Sequence, residues 1–240
     1  MRIDVLTLFP GIFQGFLHES LLRLAAQRGI VEVRLWDIRD HTDDPHHKVD
    51  DRPYGGGPGM VLMPGPVFAA AEAADAAASP PARRIILSPQ GRPYTQAIAR
   101  ELACEPRLML VCGRYEGFDE RILQGLGAEE LSIGDYILAG GEVPAMAVIE
   151  SVVRLLPGAI SDPDSAALES FEDGALDYPQ YTRPPIFRGM AVPEVLLSGN
   201  HELVRRWRAE RARERTSAKR PDLAAPPPEL HPPETERNVR

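Results

Sequence analysis

Two glycine-rich runs constrain this chain most, CGRYEGFDER at Cys112 to Arg121 and SIGDYILAGGE at Ser132 to Glu142. Each follows an apolar segment that reads as a strand, and each breaks into polar, glycine-rich polypeptide at the end of that strand. Gly113, Gly117, Gly134, Gly140 and Gly141 let backbone amides approach a ligand where a Cβ would block them. A single glycine after a strand is usually a turn. Two long loops rich in Gly, Tyr, Asp and Glu, leaving neighbouring strands, predict a backbone-lined pocket at one end of a parallel α/β sheet.

Strand and helix signals alternate on both sides of these loops. Ile3 to Phe9 reads as a buried strand. Ile12 to Arg28 reads as one amphipathic helix, with Phe16, Leu17, Leu21 and Leu24 on a face and Gly29 as its stop. Val31, Val33 and Leu35 alternate as a second strand, and a long polar loop is expected from Asp37 to Met63. A helix near Val67 to Ala78, a strand at Arg84 to Ser88, a helix from about Thr95 to Ala103 and a strand at Leu108 to Cys112 follow. A strand at Glu129 to Ile133 leads to a helix carrying Met146, Ile149, Val153 and Leu156, ended by Pro157 and Gly158. The alternation predicts an α/β fold, a largely parallel sheet covered by helices. The expected organisation is a first domain over 1–158, a polar linker over 159–174, a small helical domain over 175–220 and a proline-rich, disordered tail over 221–240.

A formal net charge of −8 is unpromising for a protein that handles nucleic acid, but the charge is unevenly spread. Arg183 to Arg220 holds ten Lys or Arg against four Asp or Glu, a local +6. Phosphate binding needs such a patch rather than a basic average. The run RRWRAERARER, Arg205 to Arg215, fits equally well as a solvated helix laced with Glu–Arg pairs. No apolar run reaches the length of a membrane span, and Asp4 inside the first apolar stretch argues against a secretory signal. Cys104 and Cys112 read as reduced core thiols of a cytoplasmic protein. His46, His47, Asp50 and Asp51 lie close together but match no common zinc spacing. GGGPG at Gly55 to Gly59 is neither entered by an apolar strand nor followed within it by a helix, unlike a dinucleotide fingerprint, and no GxxxxGK[ST] is present.

Together with KVDDRPYGGGPGM (Lys48 to Met60), LSPQGRPY (Leu87 to Tyr94) and GALDYPQYTRP (Gly174 to Pro184), the two runs resemble, in order and spacing, the bacterial tRNA (guanine-N1)-methyltransferases, the TrmD family of the SPOUT class. The resemblance extends from Met1 to about Arg215. It implies a SPOUT-type parallel sheet whose C-terminal part is tied in a trefoil knot, which chain-connection rules alone would not predict. A small helical C-terminal domain follows the knot. It further implies S-adenosylmethionine bound, bent, on three loops of the knot, and a homodimer whose sites are completed by the partner's second domain. The implied substrate is tRNA, methylated on the guanosine immediately 3′ of the anticodon, position 37, when another guanosine precedes it. Carried over residue by residue, the donor site falls on Leu87, Pro89, Gly113, Tyr115, Ile133, Gly134, Asp135, Tyr136, Ile137, Leu138, Gly140 and Gly141. Glu116, beside them, is a candidate for the methionine ammonium or the guanine edge. Magnesium (Mg2+) dependence is implied as well, with no ligand cluster to fix a site.

Guanine N1 carries a proton at neutral pH, so methyl transfer to it needs a base. Negative charge developing toward O6 favours a positioned cation. The resemblance puts the base at Glu169 in LESFEDG and the cation at Arg154 on the helix before the linker. Relatives usually carry Asp where this chain has Glu169, so Glu172 and Asp173 are rival bases. Without the resemblance, Glu169 reads as a solvated carboxylate and Arg154 as a helix-end arginine favoured by the dipole. Lys48, Asp50 and Arg52 in the polar loop, and Arg183, Arg205, Arg206 and Arg208 beyond the linker, are the tRNA-binding candidates. Asp177 either orients tRNA or caps the first helix of the second domain. Competing readings are another SPOUT RNA methyltransferase acting on ribose 2′-oxygen or ribosomal RNA, a non-catalytic RNA-binding protein that senses the donor, and a dinucleotide-dependent enzyme.

Overall fold

In the computed structural model, which describes residues 1–160, 169–171 and 174–224, five strands form one parallel sheet. They are β1 (Arg2–Thr7), β2 (Glu32–Asp37), β5 (Arg83–Pro93), β6 (Arg107–Cys112) and β7 (Glu129–Ser132), in the order β2–β1–β6–β5–β7. Between them run α1 (Phe13–Leu17), α2 (Ser20–Gln27), α3 (Pro64–Ala76), α4 (Gln96–Ala103), α5 (Glu120–Leu126) and, after β7, α6 (Glu142–Val153). Because side chains alternate across a strand, each strand feeds two cores. Ile3, Val5, Leu108 and Leu110 join α2, α4 and α6 in one core, while Leu6, Met109 and Val111 join α3 and α5 in the other. With both faces covered, β6 is buried along its whole length.

The expected single helix over 12–28 is broken. Pro10–Ile12 is a 3-10 turn, α1 ends at Leu17, Glu19 is extended and Ser20, where α2 begins, has φ +48°. Phe13, Leu22 and Ala25 all enter the same core. At 100° per residue, a straight helix would point Phe13 and Leu22 in opposite directions, so the chain must break to bury both. The expected 37–63 loop also contains structure, a 3-10 turn at Ile38–His41 and a short antiparallel pair, β3 (Asp50–Asp51) with β4 (Val61–Leu62). Helix α5 lies within and just beyond CGRYEGFDER; Asp119 caps its start and Gly127, left-handed, ends it.

At the N-terminal ends of β1 and β6 sits a buried charge cluster. Asp4, fully buried, accepts from Arg2, from Trp36 Nε1 at 2.9 Å and from Arg107 Nε at 2.9 Å. Arg107, 1% exposed, spends its other nitrogens on the carbonyls of Ala78 (2.9 Å) and Ala74 (2.7 Å). Burial alone would raise the Asp4 carboxyl, but these donors hold it below its ordinary value.

Strand β5 is longer than the expected Arg84 to Ser88. Leu87 and Arg92 both register against Leu131, so residues 88–91 bulge out of the ladder. Gly91 sits where a Cβ would lie 2.4 Å from the Glu130 carbonyl carbon, which explains a glycine there.

By backbone contacts the chain divides into Met1–Pro163 and Asp164–Arg240. Ala159, placed in the linker by the sequence, is 3% exposed and belongs to the first core. Residues 161–168 and 172–173 of the expected linker, and 225–240 of the expected tail, lie outside the described residues; Pro221–Ala224 form a 3-10 turn. The second unit holds a hairpin of β8 (Ile186–Phe187) and β9 (Met190–Ala191), then α7 (Glu194–Leu197) and α8 (His201–Lys219). Arg188 and Gly189, with φ of +52° and +79°, make the hairpin turn, a feature additional to the helices expected. Asn200 caps α8, and Thr216 Oγ1 accepts from Leu176 N at 2.9 Å to hold the preceding segment on that helix.

Candidate functional site

The loops leaving the C-terminal ends of β5, β6 and β7 close around a cavity of about 460 Å3. The β5 bulge supplies Leu87, Ser88, Pro89 and Gln90. The loop after β6 supplies Gly113 to Asp119, and the loop after β7 supplies Ile133, Gly134 and Tyr136 to Gly141. Parallel strands turn their C-terminal loops to one end of the sheet, which is why segments about 25 residues apart meet here. Of the expected donor residues, Leu87, Pro89, Gly113, Tyr115, Glu116, Ile133, Gly134, Tyr136, Ile137, Leu138, Gly140 and Gly141 all line this cavity. Asp135 does not line it. Ser88, Gln90, Arg114, Phe118, Ala139 and Pro144 are lining residues the sequence reading did not single out.

The second and third loops touch through backbone. Gly141 N donates to Gly113 O at 2.9 Å, and Arg114 bridges Gly140 as an isolated antiparallel pair. A Cβ on Gly141 would lie 2.7 Å from Cys112 Cα and 2.9 Å from Gly113 N, so glycine is a steric requirement of this crossing. Tyr115 holds a left-handed φ of +62°, strained for a side-chain-bearing residue, at the cavity wall.

The polar loop is stitched to the same wall. Glu116 N donates to Met60 O at 3.0 Å, Leu62 N to Gly117 O at 3.0 Å and Asp119 N to Leu62 O at 3.1 Å. Partial burial and then the neighbouring Asp50 carboxylate push the Tyr115 hydroxyl above its ordinary value. Asp50 is thereby joined to the cavity, whereas Lys48 pairs with Asp51 at 3.1 Å and Arg52 is exposed beside them. His47 Nδ1 hydrogen-bonds the Arg39 carbonyl at 2.8 Å.

Arg154 is the C-cap of α6 in the first unit, and Glu169 is a half-buried residue of the second. The rival bases Glu172 and Asp173 lie outside the described residues. Asp177 does not cap a helix, correcting one of its two readings. Its Oδ1 accepts from Tyr178 N at 2.7 Å and its Oδ2 from Gln180 Nε2 at 3.0 Å, so it organises its own turn. Along α8, Arg205 pairs with Glu202 and Arg211 with Glu214, the Glu–Arg lacing that the sequence left open. Arg208 lies 4.6 Å over the Tyr178 ring, and Arg183 and Arg206 are exposed.

Comparison with known proteins bears on what such a site does. The family described as tRNA (guanine-1)-methyltransferase TrmD matches residues 1–226. A tRNA (guanine-N(1)-)-methyltransferase of Geobacillus kaustophilus is 57% identical over 223 residues, 93% of this chain and 91% of that protein. Proteins of the same name from Thermomicrobium roseum and Moorella thermoacetica are 57% identical over 225 residues and 54% identical over 228. Each covers 94% of this chain, and the aligned parts are 84% and 90% of those proteins.

Proposed function

The chain belongs to the tRNA (guanine-1)-methyltransferase family, and on that premise we propose that it methylates N1 of the tRNA guanosine immediately 3′ of the anticodon, position 37, with S-adenosylmethionine as donor. The observation that carries this reading is the cavity where three strand-end loops meet, lined by backbone and by twelve of the thirteen residues expected to hold the donor and flank it. Its volume of about 460 Å3 falls in the range of small-molecule sites. Backbone of the three loops, apart from the Gly141 N and Gly113 O already paired with each other, suits the adenine edge and ribose, and the Glu116 carboxylate suits an ammonium.

The donor supplies an electrophilic methyl on a sulfonium, which leaves as a neutral thioether. The chain's own residues must handle the proton and the charge. In this reading Glu169 removes the N1 proton as the N1–methyl bond forms, and Arg154 stabilises the negative charge that gathers toward O6. Arg183, Arg205, Arg206 and Arg208 contact tRNA phosphates, with Lys48, Asp50, Arg52 and Asp177 orienting the RNA. The reading includes a homodimer, supported by exposed apolar side chains at Phe9, Ile12 and Val143 on the first unit, and a trefoil knot formed by the three cavity loops. Magnesium enters the reading as a requirement; among the described residues no group of three His, Cys, Asp or Glu is placed to hold a metal. A cytoplasmic location fits two unpaired cysteines. No helix among the described residues is long and apolar enough to cross a membrane.

Methylation of an unmodified tRNA transcript, with the modified base identified by mass spectrometry, tests the reading. N1-methylguanosine at position 37 is expected; a methyl on ribose or on another base overturns it. In the same assay Glu169→Gln should lower the single-turnover rate by about two to four orders of magnitude while donor binding persists, and Glu169→Asp should retain substantial activity.

A further inference from the structure

In the cavity wall, with Arg114 lining it and Glu142 behind, lies a charged pair that the donor contacts and chemistry above do not use. Glu142, in the first turn of α6, is 1% exposed. Its Oε1 accepts from Thr7 Oγ1 at 2.9 Å, and Thr7 is the buried last residue of β1. Its Oε2 lies 3.0 Å from a terminal nitrogen of Arg114, in the loop after β6. Arg114 in turn donates to Ala139 O at 3.2 Å and lies 4.4 Å over the Phe9 ring. One carboxylate and one guanidinium thus connect the end of β1, the second cavity loop and the third.

The third loop passes directly over this pair at Gly140. A Cβ there would lie 2.3 Å from Arg114 Nε and 2.6 Å from Glu142 Oε2. Gly140 is a glycine because a charge pair occupies the space beneath it. Packing alone gives no reason for an acid at this position, since an apolar side chain fills such a site at least as well and a buried ion pair adds little net stability. What the pair adds is register, because it fixes which backbone atoms of the two loops face each other. Arg114 Nε and Glu142 Oε2 also have no hydrogen-bond partner among the described residues. The two groups are close but off the hydrogen-bonding line, so a small shift of the wall can tighten them.

We infer that Glu142 is a positioning residue for the donor site, acting through Arg114 to hold the loops at 113–115 and 138–141 in binding register. The inference rests on the reading of the cavity as the donor site. Glu142→Gln keeps the shape and removes the charge. In the full-length protein it should weaken S-adenosylmethionine binding, measured by calorimetry, by about tenfold or more, while the KM for tRNA and kcat at saturating donor stay within about threefold. Arg114→Gln should do the same. The double variant Arg114→Gln/Glu142→Gln should bind the donor better than the two single losses predict, because neither charge is left alone. Gly140→Ala displaces Arg114 without stranding a charge, and should weaken donor binding with little change in thermal midpoint.

If the native chain binds no donor, the reading of the cavity falls and this inference with it. If the native chain binds donor and folded Glu142→Gln binds it equally well, the inference alone is overturned. Strictly additive losses in the double variant would also overturn it. So would a rise in tRNA KM with donor affinity intact, which would make Arg114 an RNA contact.

Discussion

Both ends of the central sheet carry an arginine paired with a buried carboxylate, and the two pairs are built differently. At the N-terminal ends, every guanidinium nitrogen of Arg107 donates and both Asp4 oxygens accept. At the C-terminal ends, Arg114 Nε and Glu142 Oε2 have no hydrogen-bond partner among the described residues, and Arg114 lines the cavity. A fully satisfied buried network locks one arrangement; a partly satisfied one leaves room to adjust. In the proposed reading the first end serves the fold and the second serves the donor. Side chains of similar chemistry were put to opposite uses by the number of hydrogen bonds each could complete.

The hardest test of that contrast is Asp4→Ala. Removing the carboxylate strands the 1%-exposed Arg107, and breaking a buried pair in this way costs about 3–5 kcal/mol. Urea unfolding should register that loss while the surviving folded protein binds donor as the native chain does. A loss of donor affinity comparable to the loss of stability would erase the distinction between the two ends.

A test with the opposite expectation concerns the second unit, which neither pair should influence. Replacing Arg205, Arg206 and Arg208 with Gln should weaken tRNA binding by about tenfold or more and reduce its salt dependence by about two in log–log slope, since fewer counterions are released. Donor affinity should not change. An unaltered salt slope would show that the Glu–Arg lacing of α8 holds these cations for the helix itself.

The smallest expected effect separates the ends by pH. Asp4 is held below its ordinary value, so the unfolded chain binds its proton more readily than the folded one. Its contribution is fully present above the unfolded carboxyl value of about 4 and is lost as pH falls through the lower folded one. Native protein should therefore lose more stability than Asp4→Asn on going from pH 5 to pH 3, by at most about 1 kcal/mol. Equal losses would place the acid sensitivity elsewhere.

The cavity was legible in the sequence because its walls are local. LSPQGRPY, CGRYEGFDER and SIGDYILAGGE each announce a strand that ends in glycine and polar residues, and parallel strands bring such ends together. The pairs were not legible, because each joins residues more than twenty positions apart. Asp4 looked merely out of place in an apolar strand, and its partner lies 103 residues away. Glu142 read as the last letter of a glycine motif, and its partner Arg114 as one charge in a charged loop. The break between α1 and α2 escaped for another reason. Leu21 and Leu24 continue a helical stripe, but Leu22 and Ala25 are the buried residues there, while Leu21 packs only partly buried against the core and Leu24 is exposed. The hairpins at β3–β4 and β8–β9 have two-residue strands, too short for any alternation to show.

The claim that the C-terminal end of the sheet is the donor site is tested most directly by titrating S-adenosylmethionine into the native chain and into Gly141→Ala. A Cβ at this position meets Cys112 Cα at 2.7 Å, so the variant must open the crossing of two cavity loops while leaving the Asp4–Arg107 end untouched. Native protein is expected to bind the donor, and the folded variant to lose that binding by about a hundredfold or more. A folded Gly141→Ala protein that binds the donor as tightly as the native one would contradict the assignment.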